Sequence, residues 1–132
     1  MYVRLGRPAE AVQHHIRALQ IARKTETLCA DAELGALNGL ARALSASGRD
    51  DEATHQYEAA VILARRLGDR IEHARALDGL GDLASVDGRS GEAISRWREA
   101  QQICLEIGIP LADDVQTKLA MHGEHPASSA AN

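Results

Sequence analysis

Six histidines, two cysteines and several adjacent carboxylates are the residues of this 132-residue chain best equipped for chemistry. His14, His15, His55, His73, His122 and His125 offer imidazoles for proton transfer or metal ligation, yet no acid or cysteine stands at a spacing that completes a catalytic set. His122 and His125 come nearest to a metal pair, but they straddle Gly123 at a helix end, where two ligands are not held at a fixed separation. Ser85 and Ser90 lack the strand–turn–helix context of a nucleophile elbow, and no glycine-rich phosphate loop follows a strand. Asp50-Asp51 and Asp113-Asp114 fall at helix starts, where the positive end of the helix dipole accounts for them. Cys29 and Cys104 lie far apart on apolar helical stripes with no ligand at metal spacing, so both read as small buried hydrophobes. These residues imply no catalytic site, no metal and no cofactor. Function is expected in surfaces instead.

The elements that carry those surfaces are helices. Hydrophobic residues make up 45% of the chain but aromatics only 2%, with no Phe, and Ala and Leu dominate, which favours close-packed helices over a sheet. One domain with a single core is expected at this length. A net charge of -4 gives no bulk attraction for phosphate backbones, so direct nucleic-acid binding is not expected. The longest apolar run, residues 59–64, is far below the roughly 20 residues of a membrane span. The first residues lack the apolar stretch of a signal peptide, and a cytoplasmic location is the expectation.

Internal repetition orders the helices. Gly-Arg-x-x-Glu-Ala begins at Gly6, Gly48 and Gly88, and other landmarks keep the same step of about 40 residues. Gly39-Leu40 recurs as Gly79-Leu80, Leu67-Gly68 as Ile107-Gly108, Tyr57 as Trp97, and Ala60 as Ala100. Between them apolar residues recur at three and four positions, as in Leu34, Leu37, Leu40, Ala41 and Leu44. The glycine of each Gly-Arg motif suits the left-handed end of a helix, Asp50 and Ser90 are expected as the following N-caps, and Pro8 fits a first turn. The pattern predicts six helices near residues 7–26, 29–47, 50–67, 70–87, 90–107 and 110–122. Residues 123–132 are expected to be a disordered tail. Because one helix pair cannot cover its own apolar face, successive pairs should stack into an all-α, antiparallel helix-pair solenoid.

The repeats resemble tetratricopeptide repeats. Leu77, Leu80, Gly81, Ala84, Gly88, Ala93, Trp97 and Ala100 fall on that pattern, as do Leu37, Leu40, Ala41, Leu44, Gly48, Ala53, Tyr57 and Ala60. The first motif matches only from its end, with Gly6, Ala11, His15 and Ala18. The resemblance implies a right-handed superhelix parsed as a half repeat 1–28, repeats 29–68 and 69–109, and a capping helix 110–122. Leu111, Val115 and Leu119 of that cap form an apolar stripe, leaving Asp113, Asp114, Gln116 and Lys118 to face water. The opening half repeat implies either an excised fragment or a homodimer formed through helix 7–26. The step exceeds the family's usual length, and the run from Trp97 to Val115 is similar to C-terminal repeats of actinomycete antibiotic-regulatory transcription factors.

In this family the first helices line a concave groove for an extended peptide. Carried over, those positions are Gly35, Asn38, Arg42 and Ser45, then Arg75, Asp78, Asp82 and Ser85. Asn38 matches a position that grips peptide backbone, and Arg42 and Arg75 are suited to carboxylates. Asp78 and Asp82 would repel a carboxylate terminus. The plainer reading pairs Arg42 with Asp82 and Arg75 with Asp78. The resemblance therefore implies a non-catalytic protein-interaction module in a larger bacterial transcription regulator. A peptide-sensing receptor domain and a self-associating oligomerisation domain are the alternatives.

Overall fold

The Gly-Arg turns at Gly48 and Gly88 each end one helix and start the next, and the computed structural model, described for residues 8–24 and 30–122, shows how. The described residues form six helices: α1 (Pro8–Lys24), α2 (Ala30–Ala46), α3 (Asp50–Leu67), α4 (Arg70–Val86), α5 (Ser90–Ile107) and α6 (Leu111–Met121). Where the flanking residues are described, each helix end lies within one residue of the predicted one, inside the usual latitude of a helix terminus. Residues 1–7, 25–29 and 123–132 lie outside the described residues, and with them the tail, Cys29 and His125. No strand occurs among the described residues.

The turns differ from expectation in one respect. Asp50 and Ser90 are the first helical residues, and the cap positions belong to Arg49 and Arg89, neither of which makes a side-chain cap hydrogen bond. Each arginine instead reaches forward to the glutamate in the first turn, Arg49 to Glu52 at 2.6 and 2.7 Å and Arg89 to Glu92 at 2.5 Å. That contact explains why Arg and Glu recur together in the motif: the glutamate meets the helix dipole and the arginine holds it there. At the other end of α3, Gly68 takes φ 71°, and the Asp69 amide donates to the Ala64 carbonyl at 3.0 Å. A side chain would be strained in that left-handed conformation.

Consecutive helices pack against one another, and α2 also touches α4, so the first helices of successive pairs lie side by side. The core is a continuous layer in which Leu34, Leu77, Trp97, Cys104 and Val115 are almost wholly buried. Ala53, Ala60, Ala93 and Ala100 have no exposed surface, as their close-approach positions require. Ala18 departs from that set. It is exposed, because no described helix lies against the outer side of α1.

The recurrent Gly39 and Gly79 receive the ring of the preceding helix. A Cβ on Gly79 would lie 2.2 Å from Cζ of Tyr57, and one on Gly39 would lie 2.5 Å from Cε1 of His15. Trp97 sits instead against Gly81 of its own pair, 2.4 Å from where a Cβ would be. His15 thus occupies an aromatic slot with a titratable ring. Burial, then the charges of Arg42 and His14, push its imidazole below the ordinary value, and burial with Arg65 does the same to His73. A depressed folded value means that the unfolded chain binds the extra proton first. Stability is therefore complete above about 6.5, the unperturbed histidine value, and is lost as pH falls below it. Denaturation midpoints measured from about pH 7 down to about pH 5 should fall, and His15→Tyr should reduce that fall. An identical slope in the variant would refute the assignment to His15.

Candidate functional site

Helices α2 and α4 border a cavity of ≈ 490 Å³ that Tyr57 of α3 and Leu111 of α6 also line. Asn38, Arg42, Ser45, Arg75, Asp78 and Asp82, all expected from the sequence, line it together with Gly35. Spacings of three and four residues place each set along one stripe of its helix. Ser85 is directed elsewhere: its Oγ lies 2.8 Å from Nε2 of His122. His122 in turn places Nδ1 3.0 Å from the Lys118 carbonyl and packs edge-on to Trp97, with ring centroids 4.7 Å apart, which fixes the end of α6.

Asn38 is the most constrained polar group of the site. Only 7% exposed, it donates from Nδ2 to the backbone carbonyl of Glu72 at 3.1 Å and to Oε1 of Glu72 at 2.9 Å. Both partners are acceptors, so the amide orientation is fixed, and Oδ1 is left buried without a donor. Glu72 is held by its own helix start, where its amide donates to Oδ1 of Asp69 at 3.0 Å. An unsatisfied buried acceptor of this kind costs about 1–3 kcal/mol.

The ion pairs differ from those expected. Arg75 pairs with Glu72 at 3.0 Å rather than with Asp78, because helical side chains lean toward the N-terminus and so favour the partner one turn back. Asp78 and Asp82 are both held by Lys118 of α6, at 2.7 and 2.9 Å. Lys118 therefore does not face water. Val115 and Leu119 anchor α6 in the core, and the lysine stem between them lies along that packed surface with its ammonium on the groove. Asp113, Asp114 and Gln116 are exposed as expected. With Asp82 engaged by Lys118, the expected Arg42–Asp82 pair is not formed, and Arg42 is exposed with no ion pair among the described residues.

The electrostatics follow from this arrangement. Burial raises the Asp78 carboxyl above its ordinary value, and the hydrogen bond from Lys118 offsets that only partly while Asp82 adds to it. Burial works against the charged form of Lys118, yet its two aspartate partners together outweigh that, leaving its pKa raised. One ammonium is thus firmly charged beside an Asp78 carboxyl that is less firmly so. Tyr57, buried beside the groove, is pushed up to about 12 by burial against the opposing charge of Arg42, so its phenol remains protonated.

Tyr57, Glu72, Gly79, Leu111 and Lys118 also belong to the site, and sequence reasoning did not place them there. The spacing Asp69-x-x-Glu72 is a first-turn capping signal that could have located Glu72 at the mouth of the groove. Among the described residues, no group of three or more His, Cys, Asp or Glu side chains could hold a metal ion. None of the described helices is long and apolar enough to cross a membrane.

One family model, described as tetratricopeptide repeat, matches residues 32–106, and a second of the same description matches residues 1–26. No curated protein matches the chain. Repeats of this kind generally mediate protein–protein interaction and are typically non-catalytic scaffolds. With paired helices, ring-on-glycine packing and a lined groove in place, and with more than half its length matched, the chain belongs to the tetratricopeptide repeat family.

Proposed function

We propose that the groove between α2 and α4 binds an extended segment of a partner protein. The observation that carries this reading is Asn38: a buried amide whose oxygen lacks a donor, on the wall of a cavity otherwise lined by groups that meet peptide. The parse into half repeat 1–28, repeats 29–68 and 69–109 and cap 110–122 gives the groove its two walls, with α6 closing one end. We further propose that this array is the C-terminal repeat region of a larger bacterial transcription regulator. That context rests on the sequence resemblance of the run from Trp97 to Val115 to repeats of antibiotic-regulatory transcription factors. In that setting the array receives a partner or restrains neighbouring domains. Self-association through helix 7–26 has less support, since Ala9, Gln13, Arg17 and Gln20 make much of the outer surface of α1 small or polar.

Selection of a random peptide library on the immobilised protein tests the groove reading. Peptides should be enriched that bind the wild type and are lost on a variant carrying Arg42→Ala and Asp78→Ala. Enriched peptides that bind both proteins equally would place the interaction on another surface.

A further inference from the structure

The two walls of the groove carry different charges at equivalent positions of the repeat. Asn38 and Arg42 on α2 correspond, one 40-residue step later, to Asp78 and Asp82 on α4. Their electrostatic needs are met unequally. Arg75 is matched by Glu72 at 3.0 Å, a closed pair. Lys118 is shared between Asp78 and Asp82, so two carboxylates face one ammonium and one negative charge is left over. The Asp82 side chain is 48% exposed, which leaves room for a second cation. Arg42 has no carboxylate among the described residues. One step N-terminal to it on the same wall, Oδ1 of Asn38 lacks a donor although the residue is 93% buried, being 7% exposed.

A uniformly acidic segment would satisfy Arg42 but meet Asp78 and Asp82 with like charge. A uniformly basic one would satisfy the aspartates and be repelled at Arg42. Resting on the peptide-binding reading, we infer that the groove selects a dipolar segment. Its backbone N–H donates to Asn38, an Asp or Glu side chain meets Arg42, and a Lys or Arg side chain meets Asp82. Packed helix axes lie roughly 8–10 Å apart and an extended chain advances about 3.3 Å per residue, so the two charged residues stand about two to three positions apart. The arginine side of the groove favours a carboxylate through two parallel N–H donors, whereas the aspartate side accepts either cation.

Isothermal titration calorimetry with synthetic peptides tests this. The peptides are acetylated and amidated, so that terminal charges do not contribute, and consist of Gly, Ser and Ala with two charged residues two or three positions apart. One set carries one Glu and one Lys in either order, a second two Glu, a third two Lys. The mixed set should contain a peptide binding at least about tenfold tighter than any of the others. Arg42→Glu should weaken that peptide by about tenfold and strengthen the two-Lys peptides, while Asp82→Asn should weaken it without helping them. Both substitutions are at solvent-accessible positions, and circular dichroism checks that the helices persist. Equal binding of all three sets, or a mixed peptide indifferent to Arg42→Glu, overturns the charge rule and leaves the groove reading intact. If no peptide of any set binds, and random-library selection also yields none, the groove reading falls and this inference falls with it.

Discussion

Replacing Trp97 with alanine should lower stability by about 3–5 kcal/mol, a large share of the roughly 5–15 kcal/mol that holds a domain folded. The indole is 2% exposed, lies against Gly81 of α4 and meets His122 beyond the end of α6, so one side chain ties three helices. In a stacked array each helix pair depends on its neighbour, and α6 packs mainly on α5, with Lys118 and His122 reaching α4. Chemical denaturation followed by far-ultraviolet circular dichroism should show the loss, with an early phase if α6 separates first. The buried Nε1 of Trp97 has no hydrogen-bond acceptor, so Trp97→Phe gives up contact area but no hydrogen bond and should cost much less than Trp97→Ala. Near-equal costs for the two variants would mean that ring-filling is not what the slot requires.

Lys118→Met is the second substitution with a large expected effect. It keeps most of the side-chain volume but leaves Asp78 and Asp82 facing each other without their shared cation. Breaking a fully buried pair in this way costs about 3–5 kcal/mol, and the partial exposure here brings the expected loss to about 1–3 kcal/mol near neutral pH. The pH dependence distinguishes this from a packing defect. Burial and Asp82 already raise Asp78 above its ordinary value, and removing Lys118 raises it further. A carboxyl whose folded value is raised favours folding while protonated, and that contribution is lost as pH rises through its folded value. The deficit of the variant should therefore shrink as pH is lowered into the carboxylate range. A deficit constant with pH would assign the effect to packing of α6 alone.

The helices were legible because their signals recur together: glycine for the left-handed turn, and alanine and leucine at helical spacing from one turn to the next. The positions on α2 and α4 came from the family resemblance, and spacings of three and four residues keep each helix's set on one face of the cavity they line. What escaped the sequence depends on how helices are rotated against one another. Lys118 lies 40 residues from Asp78, and only the anchoring of Val115 and Leu119 decides that its ammonium turns to the groove and not to solvent. Glu72 takes Arg75 because side-chain lean selects the partner one turn back, a preference invisible in a charge pattern that offers Asp78 equally close in sequence. Ala18 matched a family position, yet α1 has no described neighbour on that side to bury it.

These corrections sharpen the site. The pairs that would have neutralised the groove internally, Arg42 with Asp82 and Arg75 with Asp78, are replaced by a distribution that leaves Arg42 without a carboxylate and the buried Asn38 carbonyl without a donor. The most direct measurement of the central claim is the affinity of a library-selected peptide for the wild type and for the protein carrying Arg42→Ala and Asp78→Ala, both shown to be folded. At least about a tenfold loss is expected in the double variant, corresponding to about 1.4 kcal/mol or more. An unchanged affinity would contradict it and remove the α2–α4 groove as the binding surface.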